Sequence, residues 1–449
     1  ETKRRKKRRA DEMGELFDKL ANYGNSGIYP FHMPGHKRNK NFNIPASEID
    51  ITEIDGFDNL HSPTDLLDDM QKEISKLFGA KKSIISVNGS TCCILAAISA
   101  VAKENATIII ARNCHKSVYN ACYINKLKVE YIEPEYNTEF GCYKNITQKS
   151  IDTAIAKHPN ACAVVITSPT YEGYVSNVSC NIPLIIDSAH GAHFGFADFL
   201  PKQAKADIVI ESLHKTLPAL TQSAVIHINN EKFFGKVKKY MDIYETSSPS
   251  YVIMASIEKC TDFLKNSESY FKQYKILLDN FYNKVNKLGN IHLLKNDITR
   301  IVLKADGYSG EELANHLRKF KIEVEGAFLE YIILISTVCD TEDGFNMLLL
   351  ALTNLEKRDK IHTGYEKPNL PMKDCETYEI EETKEEYLEK AKNKVCGEYI
   401  YAYPPGSPII APGEIISDKF VYQIKKLYES GVNILSDSNL LPLKILTKK

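Results

Sequence analysis

From residue 83 to residue 228 the chain repeats one pattern: a short, β-branched, continuously apolar run that ends in a polar cluster. The runs are 83–87, 106–111, 128–132, 162–167, 182–186, 207–210 and 223–228. They are shorter than ordinary helices and lack the alternation of a strand with one wet face. Runs of this kind suit strands buried on both faces, in a parallel or mostly parallel sheet covered by helices. A helical pattern at 91–103 follows the first run. A chain of 449 residues with 43% hydrophobic content can bury such a sheet and still divide into two or three domains. The expected fold class is α/β, with a mostly parallel sheet in a large domain and a smaller α+β C-terminal region.

The expected divisions are an N-terminal arm over 1–50, a large domain over 51–290, a small α+β unit over 291–360 and a C-terminal region over 361–449. One link in the large domain is odd. Between the runs ending at Thr167 and starting at Ile182 lie about fourteen residues, with Pro169, Gly173 and Ser179 and no amphipathic helix. A parallel crossover normally takes a dozen or more residues, usually helical. Residues 251–288 read as one long Lys-rich helix stopped by Gly289. The small unit shows strands at 299–303 and 331–336 and helices at 310–319 and 342–355. A polar stretch, 356–371, reads as a linker, and 381–394 reads as a charged helix.

Charge and cysteine usage exclude some classes. With 57 basic and 58 acidic residues, the chain as a whole gives no argument for nucleic-acid binding. The basic run from Lys3 to Arg9 reads as a solvated arm, with a patch for RNA, DNA or anionic lipid as the other reading. No apolar segment follows that run, and none approaches the ~20 residues of a membrane span. The eleven cysteines show no paired-ligand spacing, which argues against a disulfide framework or a zinc site and fits a reducing cytoplasm.

Four polar clusters stand at the ends of runs, where open α/β sheets collect ligands. Ser212-Leu-His-Lys215-Thr offers a lysine that can form an imine with an aldehyde cofactor, and Ser212 and His214 can donate to a phosphate. Alone, Lys215 is more simply a surface lysine. Asp187-Ser-Ala189-His190 places a carboxylate where it can keep a pyridine nitrogen protonated. Ala189 is small enough to lie against a flat ring, and His190 can bond cofactor or substrate. Metal binding by Asp187 with His190 and His193 is the other reading, although no further ligands follow at metal-like spacing. Asn88-Gly89-Ser90-Thr91 opens a helix, as a phosphate cradle or as a simple cap. Arg112-Asn-Cys-His115 supplies an imidazole able to stack on a cofactor ring. Phosphate loop, ring stacker, ring-nitrogen acid and imine lysine, in that order, describe pyridoxal 5′-phosphate.

These residues resemble the Orn/Lys/Arg decarboxylase family of fold-type I pyridoxal-phosphate enzymes. The resemblance also takes in Phe31-His-Met-Pro-Gly-His-Lys37, Thr52-Glu-Ile-Asp-Gly-Phe-Asp-Asn-Leu-His61, Ser212-Leu-His-Lys-Thr-Leu-Pro-Ala-Leu-Thr-Gln-Ser223, Thr246-Ser-Ser-Pro-Ser-Tyr251, Tyr403-Pro-Pro-Gly406 and Pro412-Gly-Glu414. It implies that Lys215 is the Schiff-base lysine, that Asp187 pairs with the pyridinium and that His115 stacks on the ring. It assigns phosphate binding to Ser90, Thr91, Ser212 and His214. It further implies a homodimer or larger assembly in which residues 35–37 and 246–248 complete a site; the ligand spacing itself gives the expectation of no metal. Ser188 stands where the family usually has Glu, and 175–181 lacks a helix that most members carry. The implied activity is decarboxylation of arginine, lysine or ornithine, in the shorter, biosynthetic-type branch that lacks an N-terminal wing. Glu398 and Glu414 are candidates for the acid that receives the substrate's basic head. Another reaction on the same fold, aminotransferase or lyase, and an inactive paralogue are the competing readings.

Overall fold

The computed structural model describes residues 15–359, 367–403 and 406–449. The basic run from Lys3 to Arg9, and Pro404 and Pro405 of the Tyr403–Gly406 motif, lie outside the described residues. All seven apolar runs form strands: β1 (Lys82–Ser86), β2 (Thr107–Ala111), β3 (Lys128–Ile132), β4 (Val164–Thr167), β5 (Leu184–Asp187), β6 (Ile208–Ser212) and β7 (Ala224–Ile228). They build one sheet in the order β1-β7-β6-β5-β4-β2-β3. Pairing is parallel from β3 through β6, and β7 runs antiparallel to both β6 and β1. Ile108, Ile109 and Ile110 of β2 are fully buried, as are Ala224, Val225 and Ile226 of β7. Burying each Ile contributes about 1.5–3 kcal/mol, which explains why the central strands are built of Ile and Val while the edge strand β3 keeps Lys128 and Glu130 out of the core.

The helix Gly89–Val101 is buried on nearly every side, the mark of a helix enclosed between the sheet and a further layer. Its outer neighbour is the helix Phe234–Tyr244. The link from β4 to β5 contains no helix, yet the strands pair parallel with Thr167 opposite Asp187. Its backbone is held locally: Thr170 N donates to Tyr174 O at 2.8 Å, and Ser176 N donates to Ser168 Oγ at 2.9 Å.

A second, four-stranded antiparallel sheet follows, with β8 (Ile291–Leu293), β9 (Arg300–Ala305), β10 (Gly326–Ala327) and β11 (Ile332–Ile335) in the order β8-β9-β11-β10. Helices Gly310–Lys319 and Glu342–Thr353 accompany it. The expected single helix at 251–288 is two, Tyr251–Lys265 and Glu268–Val285. The break falls at Asn266–Ser267, where the Ser267 hydroxyl turns back to the Leu264 carbonyl at 3.0 Å. The expected charged helix at 381–394 is instead the strand Thr383–Tyr387 followed by a short turn of helix. The strand pairs antiparallel with Lys444–Lys448, a long-range partner that local charge pattern does not announce. Among the described residues no helix is long and apolar enough to cross a membrane.

Candidate active site

Lys215 stands on the short helix Leu213–Thr216, directly after β6. The helix stops after one turn because the chain must return as β7 beside β6, and Leu213 N already donates to Ser223 O at 3.1 Å. Lys215 Nζ lies 3.1 Å from His190 Nε2, and His190 Nδ1 lies 3.0 Å from Arg300 Nη2. These contacts fix the protons. A guanidinium only donates, so His190 Nδ1 accepts and the ring proton sits on Nε2. That N–H points at Lys215, which can accept it only as a neutral amine. Burial acts in the same direction, pulling the Lys215 amine below the usual lysine range, with Asp187 opposing and Arg300 reinforcing the shift. Burial also holds the His190 imidazole neutral, well below its ordinary value. A neutral amine is the form that attacks a carbonyl.

Asp187 ends β5, buried, with Oδ1 accepting from Ala189 N at 3.2 Å. Burial raises its carboxyl above the usual range, and Lys215 pulls it back. A cation placed opposite would remove that penalty. His115 caps the helix Lys116–Ile124, its Nδ1 accepting from Ser117 N at 3.2 Å. Burial, with Lys215 and Lys116 adding to it, takes its pKa down to about 4, so the ring is neutral. Gly406 lies against this ring: a Cβ there would come within 3.2 Å of His115 Cδ2. Gly89 adopts φ +74° and donates to Gln222 O at 2.9 Å, which turns the chain from β1 into its helix. The Asn88 side chain makes no cap hydrogen bond, so the first-turn N–H groups at Ser90 and Thr91 face the cavity uncapped by it.

Gly89, Ser90, Thr91, His115, Asp187, Ala189, His190, His214 and Lys215 all line one cavity of about 820 Å³. Ser212 does not line it: the residue is fully buried and its hydroxyl has no partner. His214 departs from its expected role in detail. Its Nδ1 donates to Ser223 O at 2.9 Å, and burial lowers its pKa, so the neutral ring keeps no proton for a phosphate. Only the imidazolium, which an adjacent anion favours, could donate there. His193 takes no part in the cavity, bonding Asp297 Oδ2 at 3.1 Å and Thr299 Oγ1 at 3.0 Å.

Neither Glu398 nor Glu414 lines the cavity. Glu414 pairs with Arg112 at 3.1 Å, and Glu398 accepts from Ser438 N at 2.8 Å and Leu446 N at 2.6 Å. Residues 35–37 and 246–248 also lie outside the cavity wall. Three side chains not anticipated from sequence stand at the site. Tyr171 and Glu172 line the cavity, carried by the helix-free link after β4. Arg300, at the start of β9, is almost fully buried beside His190, with Nε and Nη1 lacking partners. An arginine opening a strand carries no local signal of this role; Gly173 provides it in three dimensions, since a Cβ there would lie 3.0 Å from Arg300 Cβ.

Comparisons with known proteins place the chain in a family. Residues 15–302 match the family described as Orn/Lys/Arg decarboxylase, major domain. An arginine decarboxylase of Bacillus subtilis is 28% identical over 97% of this chain and 98% of its own length. The constitutive lysine decarboxylase of Escherichia coli is 29% identical over 44% of this chain and 31% of its own length. The fold is that of the Francisella novicida lysine decarboxylase, with TM-score 0.78 at 18% identity, over 98% of this chain and 82% of that one. The match extends from Glu15 past Lys215 to the edge of the second sheet, so the chain belongs to the Orn/Lys/Arg decarboxylase family.

Proposed function

We propose that this chain is a pyridoxal-phosphate-dependent decarboxylase of a basic amino acid, releasing CO2 and the amine for polyamine synthesis in the cytoplasm. The observation that carries the reading is the Arg300–His190–Lys215 relay, which presents a neutral amine in a cavity that also holds Asp187 and His115. The residues present fit the cofactor. Lys215 would hold its aldehyde carbon, Asp187 its ring nitrogen, and His115 would supply a flat face for the ring. The first turn at Ser90 and Thr91 would hold its phosphate, and Ser212 keeps an unpartnered buried hydroxyl next to His214 on the same strand-to-helix turn. When bound, the cofactor supplies a pyridinium that takes up the electron pair left as the bond to the carboxylate breaks.

The chain's own groups do the rest. Asp187, ionised, would keep the proton on the ring nitrogen, and that pairing would offset the cost of its burial. Arg300 stands behind His190 rather than on the cavity wall, and with two guanidinium nitrogens lacking partners it is the arginine suited to receive the α-carboxylate. With the cofactor bound, Lys215 would serve as a base that takes up a proton and, as the ammonium, could return it to Cα, with the His190 Nε2–H beside it. The stoichiometry is one amino acid and one proton in, one amine and one CO2 out. Orientation of this kind supplies roughly 7–11 kcal/mol in favourable cases. The test is to incubate the protein with cofactor and each of arginine, lysine and ornithine, and to identify products. Amine with CO2, and no keto acid, is expected. Lys215→Ala is expected to lose turnover and the borohydride-sensitive visible band together; normal turnover by this variant overturns the reading.

A further inference from the structure

The cavity wall carries two carboxylates among the described residues, Asp187 and Glu172. Asp187 faces Lys215 and belongs to the cofactor end. Glu172 is 8% exposed and directly follows Tyr171, beside a row of aromatic rings that returns to it. The row starts at His190, with the Tyr171 ring edge-on at 5.2 Å between centroids. Tyr171 meets Phe328 at 6.2 Å, and Phe328 stacks on Tyr331 at 4.5 Å and 8°. The Tyr331 hydroxyl reaches Glu172 Oε1 at 3.3 Å. Tyr136 lies on the same wall. Burial raises the Glu172 carboxyl above its usual range, with Thr170, Tyr331 and Arg300 only partly offsetting it. It is therefore a carboxylate held out of water without a cation hydrogen-bonded to it, inside rings whose faces attract cations.

We propose that Glu172 and the rings of Tyr136, Tyr171, Phe328 and Tyr331 form the subsite that receives the cationic head of the substrate. The assignment rests on the decarboxylase reading for its substrate, but the subsite itself is read from the wall. The α-carboxylate end falls to Arg300 and the distal cation to Glu172, so a basic amino acid meets one complementary charge at each end. A neutral side chain of the same length would leave the burial of Glu172 only partly offset, by Thr170, Tyr331 and Arg300, which is how the site disfavours it. Tyr171 is spanned on both sides, its hydroxyl donating to Glu325 Oε1 at 2.7 Å, which fixes the ring between the reacting end and the head-group end.

The experiment measures binding of butylguanidine, with butylurea as the neutral shape match, by calorimetry to the cofactor-loaded protein and to Glu172→Gln. The expected result is ~10–100-fold weaker binding of butylguanidine to Glu172→Gln, and no change for butylurea. Glu172→Asp, which keeps the charge, is expected to restore part of the affinity. In turnover, KM for the basic amino acid rises by a similar factor while kcat falls less, with the visible cofactor band unchanged. Equal butylguanidine affinity in wild type and Glu172→Gln, with that band intact, overturns the proposal. If the wild type releases no amine from any basic amino acid, the decarboxylase reading fails; the calorimetric arm still decides the cation subsite.

Discussion

At Asp187 the same burial that makes the free carboxylate costly makes its pairing with a ring nitrogen valuable. Asp187→Asn keeps the shape and removes the charge. The lost charge-assisted contact is worth about 1.5–3 kcal/mol, so cofactor affinity is expected to fall roughly 10–100-fold, with a larger loss in kcat. Equilibrium dialysis against pyridoxal phosphate checks the first, and single-turnover CO2 release the second. His115 gives a pH dependence of defined sign. Its folded pKa, about 4, lies below the 6.5 of a free imidazole, so the folded state binds fewer protons between these values. The contribution is fully present above pH 6.5 and is lost as pH falls toward 4, up to about 3 kcal/mol for this residue. Thermal melts across that window should show the decline, and His115→Gln should flatten part of it. Lys215, Asp187 and His115 were legible in the sequence because each closes an apolar run, and a run's end is a sheet's edge. Arg300 and Glu172 were not: one opens a strand and the other sits in an irregular link, and only packing between distant segments brings Glu172 to the cavity and Arg300 behind His190.

Among the elements, the seven large-sheet strands were legible because burial on both faces fills them with β-branched residues, although their limits shift by one or two residues from the apolar runs. The strand Thr383–Tyr387 was not, since half-exposed charged residues serve a helix face and an edge strand equally well, and only its partner at Lys444–Lys448 decides. The link between β4 and β5 shows what a missing crossover helix leaves behind. Its turn from Thr170 to Tyr174 carries both cavity side chains, and Gly173 in that turn has φ +91° with Arg300 pressed against it. An alanine there meets both the backbone penalty of a positive φ and the Arg300 stem. Gly173→Ala is expected to cost roughly 1–3 kcal/mol in denaturant melts and to displace Arg300. The displacement should appear as a raised KM for substrate with cofactor affinity little changed. Unchanged KM would mean that Arg300 is positioned independently of this turn.

Across the whole molecule, the tail reaches back to the sheet. Arg112 after β2 pairs with Glu414, both buried, and Ser407 Oγ donates to Asn113 O at 2.9 Å, which seats Gly406 on the His115 ring. The opposite terminus is less settled within a single chain. Ile28, Tyr29, Met33 and Phe42 are exposed, and Phe31 is 89% exposed, which places a run of large apolar side chains in water. Monomeric proteins rarely leave such a patch open. Phe31 and Met33 belong to the Phe31–Lys37 segment that carries the family resemblance, and this segment does not line the chain's own cavity. A second copy of the chain is the expected cover, in a two-fold contact where the same segment serves both sides. Sedimentation is then expected to give a dimer or a larger even assembly. Phe31→Asp, at a side chain that packs on no core residue in the isolated chain, is expected to leave the fold intact and shift it toward monomer. If the segment also completes the neighbour's site, dilution to monomer lowers turnover per chain, and wild-type turnover by a Phe31→Asp monomer would confine the site to one chain.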